Sequence, residues 1–231
     1  MLVLALDTTS RAGSVAVVHD DVVRAEIGGD LAITHGQRLP LELERALHQA
    51  AVPIEAVDLF AVVAGPGSFT GLRVGIATIQ GLAMAEQKKV VALSALEVLA
   101  RAATNARHPV GAWMDAQRGE VFAALYAADG TDVLIEAVSA PPADVLDAWS
   151  RQVDVPAITF VGDGANRYRE AITRRAGTGV SILPAPSLAA LAGKIAVAAP
   201  ARAILPHAII PIYVRKSDAE LARARREQAA R

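Results

Sequence analysis

The chain opens with short, mostly apolar runs separated by polar turns. Residues 2–6 are apolar and stop at Asp7; residues 14–18 follow, then the His19-Asp20-Asp21 turn and residues 22–27, closed by Gly28-Gly29. Runs of this length bounded by turn residues predict three strands. Between residues 37 and 51 the period changes. Leu39, Leu43, Leu47 and Ala50 share one face while Glu42, Arg45 and Gln49 fall elsewhere, which predicts a helix ended by Pro53. Residues 59–64 are continuously apolar, the pattern of a strand buried on both faces. A glycine turn, Gly65-Pro66-Gly67-Ser68-Phe69-Thr70-Gly71, then leads into a helix over 71–86. Residues 89–93 read as a strand, and Ser94 is placed to cap a helix reaching Thr104.

After a linker at 105–109 the order restarts. Strands are predicted at 110–114, 120–126 and 133–137, a helix at 144–151, a strand at 158–161 followed by Gly162-Asp163-Gly164, and a helix at 168–175. "LALDTTSRAGSVAVV" and "AWMDAQRGEVFAALY" share the order strand, Asp, Gly, strand; "FAVVAGPG" and "ITFVGDG" share a buried strand before Gly-x-Gly. A period of about 105 residues means a duplicated domain and not a solenoid. Three meandering strands followed by αβα, occurring twice, define an α/β chain of two ribonuclease-H-like βββαβα lobes, the two-lobed actin-like (ASKHA) fold. The expected division is a first lobe at 1–104, a second, smaller or degenerate lobe at 105–214, and a frayed tail at 215–231 with six basic and three acidic side chains.

The helix at 71–86 lacks a polar face. Between Leu72 and Ala85 only Arg73, Thr78 and Gln80 are polar, and small residues recur every four positions at Gly71 and Gly75 and at Ala77, Gly81 and Ala85. Glycines inside a helix cost roughly 1 kcal/mol each against alanine, so close packing should offset them. Such a helix is buried within its own domain or sandwiched between its own sheet and a partner subunit.

The glycine turn fails each phosphate-loop pattern by a nameable residue. A Walker A loop needs Gly-Lys-Ser/Thr after four residues, and Thr70 or Leu72 stands there; the dinucleotide Gly-x-Gly-x-x-Gly has Thr70 at its third position; a nucleophile elbow needs a residue between Gly67 and Ser68. A tight strand-to-helix turn is the simpler reading, with backbone N–H groups still available to an anion. Asp7 before Thr8-Thr9-Ser10 sits where two-lobed ATPases hold phosphate and metal, or it caps a turn. The corresponding second loop, Asp115-Ala116-Gln117-Arg118-Gly119, has no hydroxyl, so half of a phosphate clamp is missing. Asp7, Thr8, Gly67, Ser68 and Thr70 are therefore the candidate vestigial nucleotide or anion site. The five histidines, His19, His35, His48, His108 and His207, show no paired-ligand spacing, so no metal site is expected.

Composition narrows the classes further. The chain has 231 residues, 53% of them hydrophobic, mean hydropathy +0.34, and 23 basic against 24 acidic side chains for a net charge of −1. There is material for a large core and no general attraction to nucleic acid. With no cysteine, disulfides and thiolate chemistry are excluded. The N-terminus lacks a basic segment before its apolar run, and no early apolar stretch is long enough for a bilayer, so a soluble cytoplasmic protein without membrane contact is expected.

Taken in order, "LALDTTSRAGSVAV", "GPGSFTGLRVG", "MDAQRGEVFAALY" and "PIYVRKSDAE" resemble the TsaB (YeaZ) family over residues 1–218. The resemblance implies a non-catalytic dimerization subunit in the tRNA threonylcarbamoyladenosine system, which supports a TsaD-type transferase acting on the adenosine beside the anticodon of ANN-decoding tRNAs. Implied partners are the TsaD-type subunit, a TsaE-type ATPase, a second copy when alone, and tRNA only through the complex. The TsaD metal motif, His-x-x-x-His, is absent here because Leu39 follows His35 at that spacing. No intrinsic cofactor is implied, with ATP or ADP only in the assembled complex. Mapped by motif, the partner interface comprises Leu39, Leu43, Leu47, Phe69, Leu72, Arg73, Gly75, Ile76 and Ile79. The competing readings are an independent ATP-binding small-molecule kinase or ATPase of the same fold, and a peptidase, for which the sequence offers no nucleophile–base pair.

Overall fold

The computed structural model describes residues 1–215 other than 31, 104–105, 153–157 and 178–179. The expected frayed tail, apart from Arg215, lies outside the described residues, as does Thr104. The first lobe carries strands β1 (Leu2–Asp7), β2 (Ser14–His19), β3 (Val22–Gly28), β4 (Leu59–Val63) and β5 (Val90–Leu93), with helices α1 (His35–Ala50), α2 (Phe69–Ala85) and α3 (Ala95–Arg101). The second carries β6 (Val110–Asp115), β7 (Val121–Tyr126), β8 (Val133–Ala140), β9 (Thr159–Val161) and β10 (Ser181–Leu183), with α4 (Pro142–Gln152), α5 (Asp163–Arg167) and α6 (Arg169–Ala176); α7 (Leu188–Ala198) follows.

The duplication is visible in the pairing. The sheets run β3-β2-β1-β4-β5 and β10-β9-β6-β7-β8, each with an antiparallel meander and two parallel additions. Gly65 (φ 120°) and Gly162 (φ 116°) leave β4 and β9 at equivalent points, in a backbone region that L side chains avoid.

Strand alternation sets the layers. Leu4, Leu6, Phe60 and Val62 pack with Leu39, Ile76 and Ile79 under α1 and α2. Val3, Ala5, Ala61 and Val63 pack on the opposite face, in one cluster with Leu96 and Leu99 of α3, Ala112 and Met114 of β6, and Ala192 and Ile195 of α7. The lobes therefore share a continuous core. A third cluster, Trp113, Trp149, Phe160 and Ile172, lies under α4 and α6.

Three expectations change. Helix 71–86 begins two residues earlier, because Ser68 accepts the Gly71 N–H (3.2 Å) as its N-cap. Ser94 does sit at the N-cap of α3, but its side chain makes no capping bond. The second lobe does not extend to 214: α7 returns to pack on β1, β2 and β4, and Ile204 bridges to Val90. The sequence reading missed α7 because it is buried on most sides and so has no polar period to read.

Both tryptophans report on the second lobe alone. Because α3 and α7 join the two sheets in one core, tryptophan fluorescence and far-UV circular dichroism should give coincident urea transitions. Separate midpoints would show lobes that unfold independently.

Candidate functional site

The loop after β1 is held from three directions. Thr9 donates its backbone N–H (2.8 Å) and hydroxyl (2.6 Å) to Asp7 Oδ1, and the Ser68 N–H donates to the Thr9 carbonyl (2.7 Å). From α1, His35 Nε2 donates to the Ser10 carbonyl (2.9 Å), which leaves Nδ1 to accept from Arg38 (2.9 Å). Burial holds the His35 pKa below its usual range, and the Arg38 charge adds to that. Arg38 reaches the carbonyls of Arg11 and Ala12 and pairs with Glu42 at 2.5 Å, with both side chains nearly inaccessible.

Asp7 is 3% exposed, and burial lifts its pKa to about 6, against the lowering effect of the Thr9 bonds; the Asp163 carboxylate of the second lobe raises it further. Asp163 accepts the N–H groups of Asp115 (3.2 Å) and Gly164 (2.9 Å), and desolvation also raises its pKa. Asp115 is occupied by Gln117, through its backbone N–H (3.0 Å) and side-chain amide (2.9 Å), and by Arg167 (2.9 Å).

Two of the turn's backbone donors, the Ser68 and Gly71 N–H groups, are already engaged inside the protein. The Thr8 hydroxyl is buried without a partner against Gly75. Carboxylates face the position from both lobes. Asp7, Thr8, Gly67 and Ser68 do come together, whereas Thr70 is exposed on the first turn of α2. Among the described residues no group of His, Asp or Glu is arranged to hold a metal ion.

The partner-surface assignment needs correction. Leu39, Leu43, Leu72, Gly75, Ile76 and Ile79 are buried in the chain's own core, so a partner cannot reach most of them. A Cβ at Gly75 would collide with the Thr8 hydroxyl, so the Gly71–Gly75 row seats α2 on the Asp7 loop. The other small row, Ala77, Gly81 and Ala85, faces outward beside Met84, and a Cβ at Gly81 would meet open space. Spacing identified both rows but could not tell which faced in.

Two elements flank this outward row. On one side a groove of about 560 Å³ between α1 and α2 is lined by Pro40, Leu43, Leu47, Val52, Ile54 and Leu82. On the other side the C-terminal segment lies against α2: Gln80 donates to the Pro206 carbonyl (2.9 Å), Phe69 packs on Tyr213 with ring centres 5.1 Å apart, and Arg73 lies 3.9 Å over the Phe69 ring. Phe69, Arg73 and the half-buried Leu47 are the predicted interface residues that remain accessible. Leu41, Ile210 and Tyr213, also exposed, were not anticipated.

Two sheets of the same strand order around a shared helical layer define the two-lobed actin-like class. The likeness extends to an activator of 2-hydroxyisocaproyl-CoA dehydratase from Clostridium difficile, with a TM-score of 0.55 at 11% identity over 86% of this chain and 95% of that one. The family model described as "TsaD: tRNA N6-adenosine threonylcarbamoyltransferase" matches residues 27–223. A Bacillus subtilis protein named tRNA threonylcarbamoyladenosine biosynthesis protein TsaB is 29% identical over 95% of this chain and 96% of its own length. The YeaZ structure from Pseudomonas aeruginosa superposes with a TM-score of 0.71 at 30% identity, covering 92% of this chain and 99% of that one. The chain belongs to the TsaB/YeaZ family. No helix among the described residues is long and apolar enough to cross a membrane.

Proposed function

We propose that this chain is a non-catalytic docking subunit of tRNA threonylcarbamoyladenosine synthesis. It pairs through α1 and α2 with a TsaD-type transferase that modifies the adenosine next to the anticodon of ANN-decoding tRNAs. The single observation that carries the reading is the outward face of α2. It presents small residues flush with an apolar groove, a shape that admits another helix at close range. The internally bonded Ser68 and Gly71 N–H groups and the second loop, 115–119, without a hydroxyl support a scaffold role over an independent kinase. On this reading the isolated chain has no resident cofactor, a nucleotide enters only with the assembled complex, a TsaE-type ATPase joins it, and free chains pair through the same face.

The decisive variant is Gly81→Arg. The new side chain projects into solvent in the monomer but into the helix contact of the heterodimer. Capture of the TsaD-type subunit should fall by about a hundredfold, in keeping with loss of a central contact. The melting temperature of the monomer should stay within a few degrees of wild type. Undiminished capture overturns the proposal. Gly75→Arg is unsuitable, because it would force α2 off the Thr8 loop before any partner was met.

A further inference from the structure

A second surface lies on the other lobe, apart from the α1–α2 face. α5 and α6 meet at Tyr168, where the backbone (φ −105°, ψ 24°) bends the chain. The bend encloses a hollow of about 420 Å³ lined chiefly by Asn166, Arg167, Tyr168, Arg169, Glu170 and Arg174. Three guanidinium groups thus meet two carboxylates, Glu170 in the lining and Asp115 beneath Arg167. Arg167 is anchored by Asp115 at 2.9 Å, with its guanidinium 5.7 Å from the centre of the Tyr168 ring. Arg169 is bonded to the neutral Asn166 Oδ1 at 3.0 Å. Arg174 has no carboxylate within ion-pairing distance among the described residues, although its neighbour Arg175 pairs with Asp147 at 2.5 Å.

The chain as a whole is nearly neutral, so this local excess is not a by-product of a basic composition. Each guanidinium offers a planar fork of donors that matches a phosphate. We propose that this pocket holds the phosphodiester backbone of tRNA. The chain would then contribute its own contacts to the RNA and not act only through its partner. The inference rests on the proposed role in tRNA modification. The two surfaces belong to different lobes, so RNA and partner subunit can be engaged together.

The test is retardation of tRNA by the full chain across a salt series. In Arg169→Gln/Arg174→Gln, affinity at about 50 mM salt should fall tenfold or more. The slope of log affinity against log salt should flatten by about 1.5, since each phosphate contact contributes roughly 0.7–0.9. Arg24→Gln/Lys194→Gln makes the same charge change on exposed positions elsewhere and should alter neither quantity. Unchanged tryptophan fluorescence would confirm that the pocket variant is folded. Three results would overturn the proposal: no retention of tRNA by the wild type, equal losses in both variants, or displacement of tRNA by an equal concentration of inorganic phosphate. Gly81→Arg should leave tRNA affinity intact, so failure of the docking reading and failure of this one are separable.

Discussion

Arg38→Ala is expected to destabilise the isolated chain by about 3–5 kcal/mol, the usual consequence of stranding one member of a buried ion pair. Glu42, 6% exposed, would keep its charge without a partner. The carbonyls of Arg11 and Ala12 and the Nδ1 of His35 would lose a donor in the same step. For a chain of this size the melting temperature should drop by roughly 10 °C or more. Arg38→Met/Glu42→Leu should cost less than Arg38→Ala, because it removes both charges, yet more than zero, because the loop carbonyls remain unmatched. Urea titration of the three proteins gives the comparison. A loss under about 1 kcal/mol for Arg38→Ala would mean that the cluster does not secure the loop.

Asp7→Asn should act in the opposite direction. The folded pKa of Asp7, about 6, lies above its ordinary 3.8, so the folded state holds the proton more tightly than the unfolded chain. The associated stability is complete below pH 3.8 and is lost as pH rises through about 6. At pH 7.5 the buried, ionised carboxylate then costs up to about 3 kcal/mol. Asparagine keeps an oxygen for both Thr9 donors and removes the charge. The variant should therefore melt higher at pH 7.5, by up to about 10 °C, and the gain should vanish near pH 4. His35 has the reverse sign: its lowered pKa favours the folded chain above the usual histidine range and is lost in acid. Comparing Asp7→Asn with wild type at each pH cancels that contribution. A destabilised variant at pH 7.5 would show that the Asp7 charge is compensated. Capture of the partner subunit should be unchanged.

Much of this was legible in the residues. Strand alternation and the repeated Asp and Gly-x-Gly turns were enough to identify the duplicated lobes, because each turn demands particular residue types at particular places. In the fold, N–H groups of the glycine turn cap α2 and fasten the Asp7 loop. The Arg38–Glu42 pair was missed. Its one sequence signal was an i,i+4 pair in the less favourable order, basic before acidic, next to the buried Leu39 and Leu43.

Direction is what the sequence could not supply. Spacing shows that Gly75 and Gly81 lie on different rows of α2, but not which row meets the sheet. In the fold, the Thr8 hydroxyl occupies the space beside Gly75, and nothing occupies the space beside Gly81. Likewise, residues 188–198 carry no assigned element until their helix is seen packed between the first sheet and α3, where a helix buried on most sides needs no broad polar face. Local pattern determined the elements and their repetition, because hydrogen bonding and side-chain period act over a few residues. The choice of buried and open faces was made by tertiary structure, because it depends on contacts between segments far apart in the chain.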